Sequence, residues 1–280
     1  MDDRAFMTLV RLLPKSALSH LVGGAARLRA PPALHRVAMR WFSRHYDVPL
    51  HEAEHDFSGY DTFADFFSRR LKPGLRPIAS GEQAVVSPVD GVVSQLGYAT
   101  GDSCVQAKGI NFPLEALLGN ADVAARYRDG AFATLYLAPR DYHRIHAPLS
   151  GHITGFRYQP GAFWPVNPAS VRSIPGLFGL NERLVVELLT PAGRCAVIMV
   201  GATCVARIVA AFTDITTHQG QPMRAEDFAV PRPVAKGDEL GRFEMGSTVI
   251  VLLEKGRLRW DSDLQEGSVV RMGQRVGVVT

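Results

Sequence analysis

The chain has 280 residues, of which 46% are hydrophobic and 21% charged, enough to bury a large core as one large domain or two modest ones. Its three cysteines include no CxxC pair, which predicts neither a disulfide framework nor a zinc knuckle. No segment approaches the ~20 apolar residues of a membrane-spanning helix, and the start Met1-Asp2-Asp3 lacks the positive charge of a signal peptide. We therefore expect a globular protein that neither spans a membrane nor is secreted by that route.

Positive charge is concentrated at the N-terminal end of the chain. The net charge is +4, yet residues 1–46 contain eight lysine or arginine residues and only two acidic ones. A basic end of this kind favours a polyanionic partner, either nucleic acid or an anionic membrane surface.

A strong helical pattern lies in this basic end, at residues 32–46. Apolar residues follow the spacing of one helical face, and arginines recur every four residues beside them. Two interpretations are open: the helix packs on its own domain with a solvated arginine face, or it lies in a membrane interface with the arginines on lipid phosphates. The apolar positions are Leu34, Val37, Ala38, Trp41 and Phe42, and the basic ones are Arg36, Arg40 and Arg44.

Beyond these helices the pattern changes from helical to extended. A weaker helical pattern precedes the basic helix, and the segment 61–71 predicts a third helix with Thr62 as its cap. From about Val85 onward, short β-branched runs alternate with Gly, Pro and Asp turns, which is typical of twisted antiparallel sheets. The sequence therefore predicts an α+β fold, in which a helical N-terminal part, residues 1–80, packs with a β-rich, mostly antiparallel domain, residues 81–280.

Three places in the β-rich part carry polar groups that a strand does not need. Asp90 precedes Gly91 in the stretch SPVDGVV, where a lone Asp-Gly is most often a turn. His143 and His146 lie in the stretch LAPRDYHRIHAPLSG and would meet on one face if that stretch were helical. The pair Gly246-Ser247 stands at the mouth of a strand-like run of Thr, Val, Ile and Leu.

These residue types suggest acid–base and nucleophilic chemistry. Histidine suits proton transfer because its unperturbed pKa lies nearest neutrality, although a polar surface loop is an equally open interpretation. No third ligand follows at a recognisable spacing, so we expect no metal. Ser247 would be a nucleophile if His146 removed its proton and Asp90 oriented that histidine. The stretch is not the G-x-S-x-G elbow of hydrolases, because position 249 is valine, so an ordinary serine hydrolase fits poorly.

Eight segments of the chain occur together, in this order, in one protein family. They are FFSRRLKPGLRPI (66–78), SPVDGVV (87–93), KGINFPLEALLG (108–119), YLAPRDYHRIHAP (136–148), PVN (165–167), NERLV (181–185), VGAT (200–203) and KGDELGRFEMGSTVIVL (236–252). With these segments the chain resembles, over nearly its whole length, the bacterial type of phosphatidylserine decarboxylase. The last segment is the most specific, because members of that family cut themselves between the Gly and Ser of a Gly-Ser-Thr motif.

The resemblance implies a proenzyme that cleaves itself between Gly246 and Ser247. The products would be a β chain of residues 1–246 and an α chain of residues 247–280. Glycine suits the position before the cut, because the absence of a side chain permits the tight backbone geometry that attack on the preceding carbonyl requires.

The resemblance also implies a set of residue roles and a cofactor. The family's self-cleavage triad falls on Asp90, His146 and Ser247. Ser247 would become a covalent pyruvoyl group, whose carbonyl forms a Schiff base with the amine of phosphatidylserine and takes up the electrons left when CO2 departs. His143 matches a histidine implicated in this decarboxylation, which yields phosphatidylethanolamine.

A lipid substrate implies membrane contact. The resemblance implies a peripheral protein on the cytoplasmic face of the inner membrane, held on anionic lipids by its basic N-terminal helices. Nucleic acid is not expected, because neither base-stacking aromatics interleaved with basic charge nor a known reader motif is present. We also expect Phe163, Trp164 and Asn167 to lie at the mouth of the substrate site, and a homodimer is compatible with this interpretation.

One alternative belongs to a different functional class. The stretch EGSVVRMGQRVGVV, residues 266–279, resembles the closing strands of biotinyl- or lipoyl-type carrier modules. A carrier or binding module of this kind would not cut itself, but the chain lacks the modified lysine in its hairpin setting.

Overall fold

The computed structural model describes residues 14–107, 110–203, 207–244 and 248–280. Gly246 and Ser247, the predicted cleavage site, therefore lie outside the described residues. Within the described ranges the chain forms helices at its N-terminal end and antiparallel sheets beyond residue 83, which confirms the predicted α+β class.

From residue 14 to residue 80 the chain forms three helices and two short 3-10 turns. Proline occupies the first turn of the second helix, where its missing N–H needs no partner. The third helix begins with a capping box, in which the Thr62 hydroxyl accepts from the Asp65 amide while the Asp65 carboxylate accepts from the Thr62 amide. The helices are α1 (Lys15–Ala26), α2 (Pro32–Tyr46) and α3 (Phe63–Phe67), and the turns are Leu50–Glu52 and Phe57–Gly59.

The basic helix α2 is attached to the rest of the protein by one face only. Met39 and Phe42 are buried, and Phe42 packs edge-on against Phe66 of α3. Leu34, Val37 and Trp41 are 60%, 63% and 62% exposed. The sequence pattern placed Phe42 and Trp41 on one face, but successive helical residues point about 100° apart, and here one is core and the other surface.

Sixteen strands form most of the remaining described structure. The main sheet has eight strands in the order β11-β7-β8-β9-β13-β5-β2-β15, all antiparallel, and two smaller sheets have the orders β10-β12-β6 and β1-β16-β14. The strands of the main sheet are β2 (Gly91–Tyr98), β5 (Ala131–Tyr136), β7 (Gly151–Gln159), β8 (Arg183–Thr190), β9 (Gly193–Val200), β11 (Arg224–Val234), β13 (Thr248–Leu253) and β15 (Val269–Val270). The others are β1 (Ala84–Val86), β3 (Ser103–Ala107), β4 (Ile110–Pro113), β6 (Arg144–His146), β10 (Ile208–Ala210), β12 (Glu239–Phe243), β14 (Leu258–Trp260) and β16 (Arg275–Val279).

The main sheet is covered on both faces, which explains why its central strand is hydrophobic without alternation. All six residues of β13 are buried. Val249 and Val251 belong to one core cluster, shared with the two small sheets. Ile250 and Leu252 belong to a second cluster on the opposite face, because side chains alternate along a strand.

Four short helices cover the second face of the sheet, a feature that the β-rich sequence pattern did not predict. Leu117 and Phe178 are fully buried in the second cluster, whereas Leu180 at the end of the last helix is exposed. The helices are α4 (Leu114–Leu118), α5 (Ala121–Ala125), α6 (Pro168–Ser173) and α7 (Leu177–Leu180).

The neighbouring aromatic residues of α2 provide a test of this packing. We expect Phe42→Ala to lower the free energy of unfolding by about 3–5 kcal/mol, because it leaves a cavity among Phe63, Phe66 and Phe67. Trp41→Ala, at an exposed position one residue away, should change it by less than about 0.5 kcal/mol. Urea unfolding of both variants measures the difference, and equal destabilisation would contradict this account of α2.

Candidate active site

The ends of four neighbouring strands of the main sheet bring predicted site residues to one edge. Tyr136, at the end of β5, pairs with Val92 near the start of β2 and with Thr248 at the start of β13. Thr248 also pairs with Val200 at the end of β9. Asp90 directly precedes β2, and the predicted nucleophile directly precedes Thr248 in sequence. Antiparallel pairing therefore puts Asp90 and the start of β13 at the same end of the sheet.

The loop after β5 carries the two histidines to this edge. His143 precedes β6, and His146 is the last residue of β6. The two histidines therefore do not lie on one face of a helix. The amide of Phe243 donates to the carbonyl of His143 at 3.0 Å. Strand β12, whose end leads toward the predicted cleavage site, therefore runs beside His143.

His146 is held as a neutral imidazole. Its Nδ1 donates to the carbonyl of Gly237 at 2.7 Å, and its Nε2 lies 3.1 Å from the hydroxyl of Tyr142. Burial lowers the pKa of His146 and raises the pKa of Tyr142 to about 12. The tyrosine therefore stays protonated, and its hydroxyl donates a hydrogen bond to Nε2. Nε2 is thus the basic atom of this ring.

His143 is more deeply buried and has one ring nitrogen without a partner. Its Nδ1 donates to the carbonyl of Asp141 at 2.8 Å, and its ring centroid lies 4.1 Å from that of Phe67. Burial, with a smaller effect from the nearby cation of Arg69, lowers the pKa of His143 to about 3. Near neutral pH the ring is therefore a proton acceptor at Nε2, and it can donate a proton from this atom only after receiving one.

Asp90 is buried, and its partner is an arginine. Both of its carboxylate oxygens accept from Arg76, at 2.9 and 3.0 Å from Nε, and Oδ1 also accepts from the amide of Met272 at 2.8 Å. Burial alone would lower the pKa of Arg76, but its hydrogen bonds to Asp90 and Glu52 raise the pKa above the usual value. A buried carboxylate needs a counter-charge, and the arginine fork matches it in two bonds.

The structure therefore differs from the predicted order of contacts within the triad. The side chain that orients His146 is not Asp90, because Gly237 occupies Nδ1 and Tyr142 occupies Nε2. The two residues are still close, since the amide of His146 donates to the carbonyl of Pro88 at 2.9 Å. Asp90 thus lies in the segment that pairs with His146, without a hydrogen bond between its carboxylate and the ring.

Sequence reasoning missed three of the residues that build this site. They are Arg69, Arg76 and Tyr142. All three lie in the segments 66–78 and 136–148, which carried the family resemblance. Residue type gave no further signal, because an arginine or tyrosine in a polar segment is usually exposed.

Phe163, Trp164 and Asn167, the residues predicted at the mouth of the substrate site, make contacts within the protein. Phe163 packs edge-on against His218, and its carbonyl accepts from the hydroxyl of Thr203. Asn181 fixes the backbone of Trp164 through two hydrogen bonds, 2.9 and 2.8 Å long. The side chain of Asn167 caps α6.

A groove of about 570 Å³ adjoins this stretch and passes Tyr136. Val166, Pro168 and Val171 line one side of the groove, and Val92 of β2 lies across from them. Phe163, Trp164 and Asn167 are not among its lining residues. Since Tyr136 pairs with Thr248, this largely apolar groove opens next to the start of β13.

Metal binding has no support in the described part of the chain. Over those residues, no group of three His, Cys, Asp or Glu side chains is arranged to hold a metal ion. Of the cysteines, Cys104 and Cys195 are buried and free, and Cys204 lies outside the described residues.

Comparison with known proteins identifies the family. A family model described as phosphatidylserine decarboxylase matches residues 63–278, and a second, described as PSD, matches residues 5–47. Proteins named phosphatidylserine decarboxylase proenzyme are 58% identical in Myxococcus xanthus, covering 100% of both chains, and 55% identical in Anaeromyxobacter sp. strain K, covering 99% of both. One from Shewanella sediminis is 41% identical and covers 97% of both. The chain belongs to the phosphatidylserine decarboxylase family, which confirms the resemblance.

The buried neutral histidine predicts a dependence of stability on pH. Because the pKa of His143 is about 3 in the folded chain and about 6.5 in an unfolded one, the unfolded chain binds the proton first as the pH falls. The contribution to stability is therefore complete above about pH 6.5 and is lost as the pH falls toward about 3.

This dependence is measured most simply by urea unfolding in a Ser247→Ala background, which is expected to keep the chain whole. We expect His143→Leu to lose less stability between about pH 7 and about pH 4.5 than the parent does. His51→Leu, at an exposed histidine, serves as the control and should follow the parent. A loss for His143→Leu as large as that of the parent would contradict the assignment.

Proposed function

We propose that the chain is a self-cleaving proenzyme of a pyruvoyl-dependent phosphatidylserine decarboxylase, cut between Gly246 and Ser247. The observation that carries this proposal is the convergence of strand ends at one edge of the main sheet. In support of it, Asp90 and the start of β13 lie at this edge, the histidine loop contacts the segment before Asp90, and the predicted cut directly precedes Thr248 in sequence.

His146 is suited to act as the base in maturation. Its Nε2 is the basic atom, because Nδ1 is committed to the Gly237 carbonyl. For Nε2 to take the proton of Ser247, the Tyr142 hydroxyl that donates to it has to turn away. Removing the proton of Ser247 would let Oγ attack the carbonyl carbon of Gly246, so that a C–O bond forms, the C–N bond breaks and the released amine takes the proton. The ester would then eliminate across Cα–Cβ of residue 247, which releases Gly246 as a carboxylate and leaves a dehydroalanine. Water would hydrolyse the imine tautomer of this residue, so that ammonia leaves and the pyruvoyl group remains at the new terminus.

The buried residues beside β12 fit such a group. The unpartnered Nε2 of His143 is a proton acceptor in a dry setting, next to the strand that leads to the cut. The pyruvoyl group supplies an electrophilic carbonyl that binds the substrate amine and takes up the electron pair left by CO2. His143 would accept a proton from the substrate ammonium at Nε2 and return it to the carbon that lost CO2.

The groove beside Tyr136 is the proposed place of the substrate's glycerol and first acyl carbons. Its lining by Val92, Val166 and Val171 is apolar, and it opens next to the start of β13. The relatives' names supply the substrate, phosphatidylserine, and we extend it to this chain on the basis of family membership.

No observation favours the carrier alternative. The turn between β15 and β16 reads Arg271-Met272-Gly273-Gln274 and holds no lysine to modify. Met272 is buried, and its amide is used to hold Asp90. A Cβ on Gly273 would lie 2.6 Å from the carbonyl oxygen of Pro77, so this turn packs closely on the protein instead of projecting from it.

Maturation is tested by the mass of the C-terminal fragment. We expect the wild-type protein to yield a fragment of 34 residues, 247–280, with a pyruvoyl terminus that blocks N-terminal sequencing. Ser247→Ala should remain a single inactive chain, because no hydroxyl is left to attack the carbonyl. Ser268→Ala is the matched control, since that hydroxyl only accepts from the amide of Gln265 in a turn. Cleavage of Ser247→Ala, or a free amine on the fragment, would refute the proposal.

The exposed apolar face of α2 is the proposed membrane contact. Leu34, Val37 and Trp41 project away from the core, with Leu21 and Leu28 exposed nearby. Within the described residues, no helix has the length and apolar character needed to cross a bilayer. We propose that α2 lies in the interface of an anionic bilayer, with Arg36, Arg40 and Arg44 at the lipid phosphates, at the cytoplasmic face of the inner membrane.

Vesicle sedimentation tests this contact. We expect Val37→Asp to reduce binding to phosphatidylglycerol-containing vesicles at least about 10-fold. It removes an apolar group that would be buried in the membrane and adds a negative charge that the anionic lipids repel. Val230→Asp alters a valine that is still more exposed but lies on β11, and it should bind as the wild type does. Equal vesicle binding by the two variants would indicate that α2 is an ordinary surface helix.

A further inference from the structure

Two neighbouring buried side chains have polar atoms that no described group satisfies. Arg69 is only 1% exposed, and its Nη2 donates to the carbonyls of Arg140 at 2.8 Å and Asp141 at 3.3 Å. Its Nε and Nη1 have no hydrogen-bond partner. His143 is 0% exposed, and its Nε2 also has none.

The two side chains belong to one site. Arg69 follows α3 and His143 precedes β6, yet Nη2 of the arginine and Nδ1 of the histidine converge on the same carbonyl, that of Asp141. Phe67 packs on the histidine ring, and Phe66 lies under the guanidinium at 5.9 Å. Among the described residues, two donor nitrogens of the guanidinium and one acceptor nitrogen of the imidazole thus have no partner, within an aromatic setting.

The charge of Arg69 has no hydrogen-bonded carboxylate among the described residues, unlike that of Arg76. Burying a cation without a hydrogen-bonded counter-charge is costly, and burial accordingly lowers the pKa of Arg69, while the nearby carboxylates of Asp141 and Asp90 act in the opposite direction. The free N–H groups of a buried, charged guanidinium suit an oxyanion. Since no anion among the described residues contacts Nη1, an oxyanion of the ligand is the partner that fits it.

We propose that Nη1 of Arg69 binds the phosphodiester of the substrate headgroup, while Nε2 of His143 faces its amine. This inference rests on the proposed function. The headgroup of phosphatidylserine carries two oxyanions, the phosphodiester and the carboxylate. An arginine on the departing carboxylate would stabilise the reactant more than the transition state, in which that charge has moved away, whereas the phosphodiester keeps its charge throughout.

The first test separates binding from chemistry. Arg69→Gln should raise KM for phosphatidylserine in mixed micelles by about 10- to 100-fold, with kcat much less affected, because a charged hydrogen bond common to reactant and transition state is lost. Arg69→Lys keeps the positive charge but has fewer N–H donors, so its KM should lie between those of the wild type and Arg69→Gln. Arg128→Gln is the matched control, because this exposed arginine pairs only with Asp102 at the surface.

The second test identifies the anion without turnover. Equilibrium dialysis of the Ser247→Ala chain would use glycerophosphoethanolamine, which has the phosphodiester and amine, and O-methylserine, which has the carboxylate and amine. Adding Arg69→Gln should abolish binding of the first compound and leave that of the second unchanged. Loss of only O-methylserine binding would assign Arg69 to the carboxylate and overturn the proposal.

The remaining outcomes are equally decisive. A wild-type KM in matured Arg69→Lys and Arg69→Gln would overturn the proposal, and so would failure of both to self-cleave, which would make Arg69 a support of the 140–141 loop. If Arg69→Gln alone fails to mature, a raised KM in Arg69→Lys supports the proposal and an unchanged one overturns it. Absence of phosphatidylserine decarboxylation by the mature wild type would instead refute the proposed function, and this inference with it.

Discussion

Strand β13 is hydrogen-bonded along its whole length to β5 on one side and β9 on the other, and much of the site depends on this pairing. Thr248, the first residue of the strand, lies at the edge where β2 begins and the histidine loop leaves β5. The same pairing would hold Thr248 in the sheet after the proposed cut. The short chain would then keep its place, so that one geometry could serve both maturation and catalysis.

The segment 68–78 connects the helical part of the molecule to this edge. The carbonyl of Ser68 accepts from Arg144 of β6, Arg69 holds the histidine loop, and Arg76 holds Asp90. Two buried arginines seven residues apart therefore have different partners. Arg76 is paired with carboxylates, whereas Arg69 donates, among the described residues, to backbone carbonyls only. This stretch of backbone joins the helices that include the proposed membrane contact to the residues proposed to carry out the chemistry.

Parts of the fold and of the site were predictable because they depend on local patterns. The period of apolar residues located α2, the Thr62 cap located α3, and β-branched runs between turn residues indicated the antiparallel sheets. Helices α4 to α7 were missed because four to six residues are too few to show a helical period. The resemblance singled out Asp90, His143 and His146, but their partners could not be predicted. Whether Asp90 meets an arginine or a histidine depends on three-dimensional packing between elements far apart in the sequence.

The strand order also governs how the molecule would behave once it consists of two chains. Residues 247–280 contribute β13 and β15 to the main sheet, and β16 lies between β1 and β14 in a second sheet. The short chain is thus interleaved with the long one at separate places and cannot leave without dismantling both sheets. Reassembly from separated chains would be a bimolecular process that depends on concentration, whereas the proenzyme folds as one chain. The working lifetime of the mature form would then be set by the barrier to opening, as kinetic stability, and not by an equilibrium to which it could readily return.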